Sequence, residues 1–78
     1  MYNRIKDLRE DRDLFQKDIS NILNITQRNY SYLETGKSDI PTDVLIKLAM
    51  FYNVSVDYIL GITDIQKPYP RTKRKDRV

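Results

Sequence analysis

Apolar residues recur at spacings of three and four along the chain as far as Asp64, which is the period of a helix. Nothing before Asp64 keeps up the two-residue alternation of a half-buried strand. A first segment, about Tyr2–Arg12, puts Ile5 and Leu8 on one face and charges elsewhere. A second, Gln16–Leu23, carries Ile19, Ile22 and Leu23. Asn24 then tolerates the left-handed conformation that ends a helix. Thr26 is a good N-cap, because its hydroxyl can accept from a free backbone N–H of the next turn. The third segment runs to Thr35, and Gly36 stops it. Lys37–Ile40 reads as a loop, and Pro41 suits the first turn of a fourth helix. That helix, Pro41–Tyr52, has a stripe of Val44, Leu45, Leu48 and Phe51. Ser55 caps a short fifth helix, Val56–Leu60, ending at Gly61. The pattern predicts an all-α fold: five short helices in one compact domain, without internal repeats.

The second and third segments are separated only by Asn24-Ile25-Thr26. Two short helices joined by so tight a turn form a helix-turn-helix, in which the second helix can enter the major groove of DNA. Ile25 is the apolar anchor inside the turn. On the third helix Tyr30 and Leu33 point inward, three apart. Gln27, Arg28, Asn29, Ser31 and Tyr32 face outward, with no acid before Glu34. Glutamine can bond bidentately to adenine and arginine to guanine. An ordinary solvated face would more often carry glutamate and lysine. Tyr30, Tyr52 and Tyr58 lie at core-like spacing rather than as stacking platforms.

Composition narrows the function classes. With 78 residues there is room for one domain and little room for a catalytic pocket. The absence of cysteine and histidine removes disulfides, thiolate metal sites, the commonest zinc ligand and the commonest general base. Asp57 and Asp64 could be taken as a carboxylate pair, but Asp57 sits in the first turn of a helix, where the dipole favours an acid. No enzyme activity, cofactor or metal is expected. No apolar run approaches a membrane span and no signal-peptide pattern opens the chain, so a cytoplasmic location is expected. The net charge of +3 is unevenly placed. Residues 1–64 hold 8 Lys/Arg against 10 Asp/Glu, and residues 65–78 hold 6 against one. We therefore expect a slightly acidic folded domain, 1–64, and a basic tail, 65–78.

Several short patterns, in order and correctly spaced, together resemble one family. They are Ile5-Lys6 with Leu8-Arg9-Glu10, the Gln16 opening of the second helix, Thr26-Gln27 through Glu34-Thr35-Gly36-Lys37, Leu45-Ile46-Lys47-Leu48-Ala49, and Asn53 through Gly61. Over roughly Arg4–Asp64 the chain resembles the Cro/CI-type helix-turn-helix proteins, the Xre family of phage and bacterial repressors. The resemblance implies a lambda-repressor-like five-helix domain that binds double-stranded DNA and regulates transcription. It implies that Gln16 bonds a phosphate and braces the start of the third helix, and that Thr26 caps that helix and reaches the backbone. Gln27, Arg28 and Tyr32 match base-reading positions. Asn29 matches a phosphate or base contact, and Lys37 a backbone contact. Arg9 and Glu34 match a structural ion pair. A homodimer on a palindromic operator follows, with recognition helices about 34 Å apart, dimerising around helices four and five, with the segment Phe51–Ile65 and the tail as candidates. The rival expectation is an antitoxin-like module that binds a protein partner such as a toxin through the tail Lys67–Val78 or the fifth helix, with autoregulatory DNA binding. The tail 71–77 could also lie along phosphates.

The chain departs from the family at four positions. Asn24 stands where glycine is usual, Ser20 where alanine is, Phe15 where a serine or threonine cap is, and Tyr32 is bulkier than the usual polar residue. The lost cap at Phe15 should cost of order ~1 kcal/mol.

Overall fold

The computed structural model describes residues 4–68 and 70 of the chain. Tyr2, at the start of the expected first helix, and the run 71–78 of the basic tail lie outside them. Five helices follow in order: α1 (Ile5–Asp11), α2 (Gln16–Leu23), α3 (Gln27–Thr35), α4 (Thr42–Tyr52) and α5 (Val56–Ile59). There is no strand among the described residues, and none of their helices is long and apolar enough to cross a membrane.

The local chemistry explains most helix ends. Asn24 closes α2 in the left-handed region, with φ 59°, as a short polar side chain allows. Asn53 does the same for α4, with φ 56°. Gly36 closes α3 at φ 80°. Pro41 is extended and stands just outside α4 rather than in its first turn. Phe15 does leave α2 without a side-chain cap. The Asp18 carboxylate supplies the reciprocal half of a capping box, accepting the Phe15 backbone N–H at 2.8 Å. The helix therefore starts at Gln16 as expected. Asp13 also adopts a positive φ, 55°, which no turn signal in the sequence pointed to.

Every helix contributes to one core, with Ile5, Ile19, Tyr30, Leu48 and Ile59 fully buried. The stripe on α4 is turned from the expected one. Tyr52 and Ala49 face inward with Val44 and Leu48, whereas Phe51 remains 43% exposed. Tyr52 lies on the row of Val44 and Leu48, four residues apart, and Phe51 one position off it. On α2 the same geometry buries Ile19 and Leu23 and leaves Ile22 exposed. Tyr58 is half-buried against the core, with the Arg4 guanidinium 4.2 Å above its ring.

Arg4 also ties α1 to the end of α5. Its backbone N–H donates to the Ile59 carbonyl at 2.9 Å. Its side chain reaches the Thr63 carbonyl at 2.9 Å and the Asp64 carboxylate at 2.6 Å. The chain after α5 turns back on itself, where the Ser55 N–H donates to the Gln66 carbonyl at 2.9 Å.

Candidate nucleic-acid interface

The turn between α2 and α3 is short because both ends are capped locally. The Ile25 N–H returns to the Ser20 carbonyl at 3.0 Å. Thr26 Oγ1 accepts the Asn29 N–H at 3.0 Å, the capping role expected of it. Ser20 is buried, and its hydroxyl donates to the Lys17 carbonyl at 3.0 Å. A small side chain is thus kept where α2 and α3 pack. Ile25 is half-buried against the core and fixes the turn to it.

This framework sorts α3 into the two expected faces. Tyr30 and Leu33 are buried, and Gln27, Arg28 and Asn29 are exposed at the beginning of the helix. Ser31 and Tyr32 are half-buried, and Lys37 is exposed in the following loop. Asn29 borders a cavity of about 210 Å³ that it shares with Ile25, Ser38 and Val44.

Glu34, the one acid of α3, is withdrawn from this face. Its side chain is 2% exposed and that of Arg9 12%. Arg9 Nε donates to Glu34 Oε2 at 2.6 Å and Arg9 Nη2 to Oε1 at 3.2 Å, a two-pronged pair. Gln16 Nε2 donates to the same Oε1 at 3.0 Å. The expected structural pair is therefore present, with Gln16 as its third member. The brace implied for Gln16 was to the start of α3, whereas its bond reaches Glu34, one residue from the helix end. A primary amide has two N–H donors, so one bond to Glu34 engages only one of them.

Burial pushes the Glu34 carboxyl upward, but hydrogen bonds led by Arg9 outweigh it and hold the pKa below the ordinary value. Arg9 is raised in turn, first through its bond to Glu34. The buried Tyr30 hydroxyl makes no well-formed hydrogen bond. It lies close enough to Glu34 that, after burial, that carboxylate is the next cause of its raised pKa. Burial likewise pushes Tyr52 up to about 12.

Tyr32 connects two cationic side chains. Arg28 Nε donates to its hydroxyl at 3.1 Å, one helical turn away. The Lys37 ammonium sits 4.5 Å from its ring centroid. Arg28, Tyr32 and Lys37 are thus brought together, Asn29 is joined to Thr26, and Gln16 is joined to the end of α3 through Glu34. There is no group of acidic side chains suited to hold a metal among the described residues.

A family model described as helix-turn-helix matches residues 5–59, which takes in all of these positions. The chain belongs to the helix-turn-helix family of the Cro/CI (Xre) type. Its five helices are the lambda-repressor-like arrangement of that family. Two similar proteins come from Bacillus subtilis (strain 168). The uncharacterized HTH-type transcriptional regulator YobD is 37% identical over 73 residues, covering 94% of this chain and 63% of that protein. The HTH-type transcriptional regulator ImmR is 41% identical over 64 residues, covering 82% and 50%. The cryptic phage CTXphi transcriptional repressor RstR of Vibrio cholerae is 33% identical over 54 residues, covering 69% and 49%. The chain thus spans between about half and two thirds of the length of these relatives. No solved structure gives a significant match.

Proposed function

We propose that this helix-turn-helix domain binds double-stranded DNA sequence-specifically and serves a transcriptional regulator, a repressor of phage or bacterial type, rather than an enzyme. The observation that carries the proposal is the make-up of α3. Its outward face presents Gln27, Arg28 and Asn29, and its one acid is buried against Arg9 and Gln16. No bare carboxylate on the helix then opposes approach to the polyanion. Gln16, Thr26 and Lys37 set position on the phosphates, while Gln27 and Arg28 read base edges. Ser31 and Asn29 add contacts at the margins of the face. The names of the relatives, regulators and a phage repressor, support the same role.

A second copy of the chain completes the binding unit. One small domain covers too few base pairs for strong specificity, and a symmetric dimer on a palindrome doubles the contacts. The outer face of α4 exposes Ile46, Met50 and Phe51 beside a groove of about 240 Å³ that runs to Val56. That apolar surface suits a self-complementary contact.

Selection of bound sequences from random duplexes tests the proposal. Enrichment of a palindromic motif, with binding that weakens steeply as salt rises, is the expected result. Failure to enrich any motif at low salt would count decisively against it.

A further inference from the structure

We infer that Tyr32 is a positioning residue that aims Arg28 at a base and holds Lys37 at the groove edge, so that base reading and backbone contact are set by one side chain. The inference rests on the proposed DNA-binding role of α3. Its basis is the geometry around the Tyr32 side chain and carbonyl.

A guanidinium carries one Nε–H and two terminal amino groups. Arg28 donates its Nε–H to the Tyr32 hydroxyl at 3.1 Å. Restraining the guanidinium at Nε leaves the two terminal groups as the fork that matches guanine O6 and N7. An exposed arginine without such a partner samples many rotamers, and ordering it on binding opposes affinity. Lys37 uses a different part of the same residue, its ammonium lying 4.5 Å from the ring centroid and thus within cation–π range. The loop that carries Lys37 is fastened at the same residue. The Ser38 N–H donates to the Tyr32 carbonyl at 3.2 Å, and Thr35 Oγ1 donates to that carbonyl at 3.3 Å. Tyr32 is itself half-buried, so it is a firmer support than either cation. With the hydroxyl on Arg28 and the ring under Lys37, Tyr32 acts through its neighbours rather than by stacking on a base.

The test uses the full chain and a duplex obtained by selection, compared with one altered at the base pair that Arg28→Ala ceases to discriminate. Tyr32→Phe keeps the ring and removes the hydroxyl. It should lower affinity for the selected duplex by about 3- to 10-fold and relax preference at that base pair alone. In an Arg28→Ala background the same change should have no effect, an outcome that a merely structural hydroxyl would not produce. The salt dependence of Tyr32→Phe should match the parent, whereas Tyr32→Leu, which lacks the ring, should also show a shallower salt dependence, as Lys37→Ala should. Thermal melting of each variant separates these effects from unfolding. An unaltered base preference in Tyr32→Phe, or an equal loss in both backgrounds, overturns the inference. If the parent chain binds no duplex, the DNA-binding proposal fails instead, and the two failures are distinct.

Discussion

Glu34 is both buried and charged, and that combination makes it sensitive to pH. Its pKa is lower in the folded chain than the ordinary carboxylate value. The stabilisation from this depression is therefore complete above the unfolded glutamate pKa of about 4.3 and is lost as pH falls through the lower native value. Urea denaturation at a series of pH values should show this loss, and Glu34→Gln should flatten the acid limb of the profile. At neutral pH the same variant should be destabilised by about 3 kcal/mol, the lower end for a broken buried pair because Arg9 retains some access to water. Arg28→Ala, in contrast, should leave stability unchanged. It should weaken binding to a selected duplex by about 1–3 kcal/mol and relax preference at one base pair, as titration of single-base variants would show. The outward residues of α3 were legible because helical period alone assigns them to a face. The Gln16–Glu34 and Arg28–Tyr32 bonds were not, since they depend on rotamers that spacing does not specify.

Helix ends were the most legible feature of the elements. Asn24, Thr26, Gly36 and Ser55 each act locally, and each stands where its chemistry places it. Other details escaped the pattern, the positive φ of Asp13 among them. Phe51 and Tyr52 are adjacent and both aromatic, so hydrophobicity could not say which would turn inward. Pro41 is equally suited to the first helical position and to the one before it. Phe15 offers an element-scale test, because it is 72% exposed and packs little. Phe15→Ser should add the missing cap beside Asp18 and stabilise by about 1 kcal/mol. In a domain of this size that is about 4–8 °C in thermal melting. Gly36→Ala should act in the opposite sense. Its Cβ would meet nothing within 4 Å, yet φ remains +80°, and the left-handed conformation costs an alanine about 1 kcal/mol.

Over the whole molecule, net charge was a poor guide to a nucleic-acid role. The basic residues concentrate in the tail, and the helix that carries the proposed readers owes its suitability to the burial of one acid. The proposed dimer belongs to this scale as well. Met50→Asp alters an exposed side chain and should leave the fold intact. It should shift the sedimenting species from dimer to monomer and lower affinity for a palindromic duplex far more than for a half-site. Equal sedimentation of parent and variant would overturn a dimer built on α4.

Arg4 gives the domain a property that concerns how it can be combined with other chains. Its bonds to Ile59, Thr63 and Asp64 bring residue 4 and residues 59–64 together, so the two ends of the helical domain meet at one spot. Domains joined in this way tolerate being spliced into a host loop. A cassette of residues 4–66, set between flexible linkers in a surface loop of an unrelated protein, should fold there and keep the duplex preference of the free chain. The fold would then work as a portable reading head.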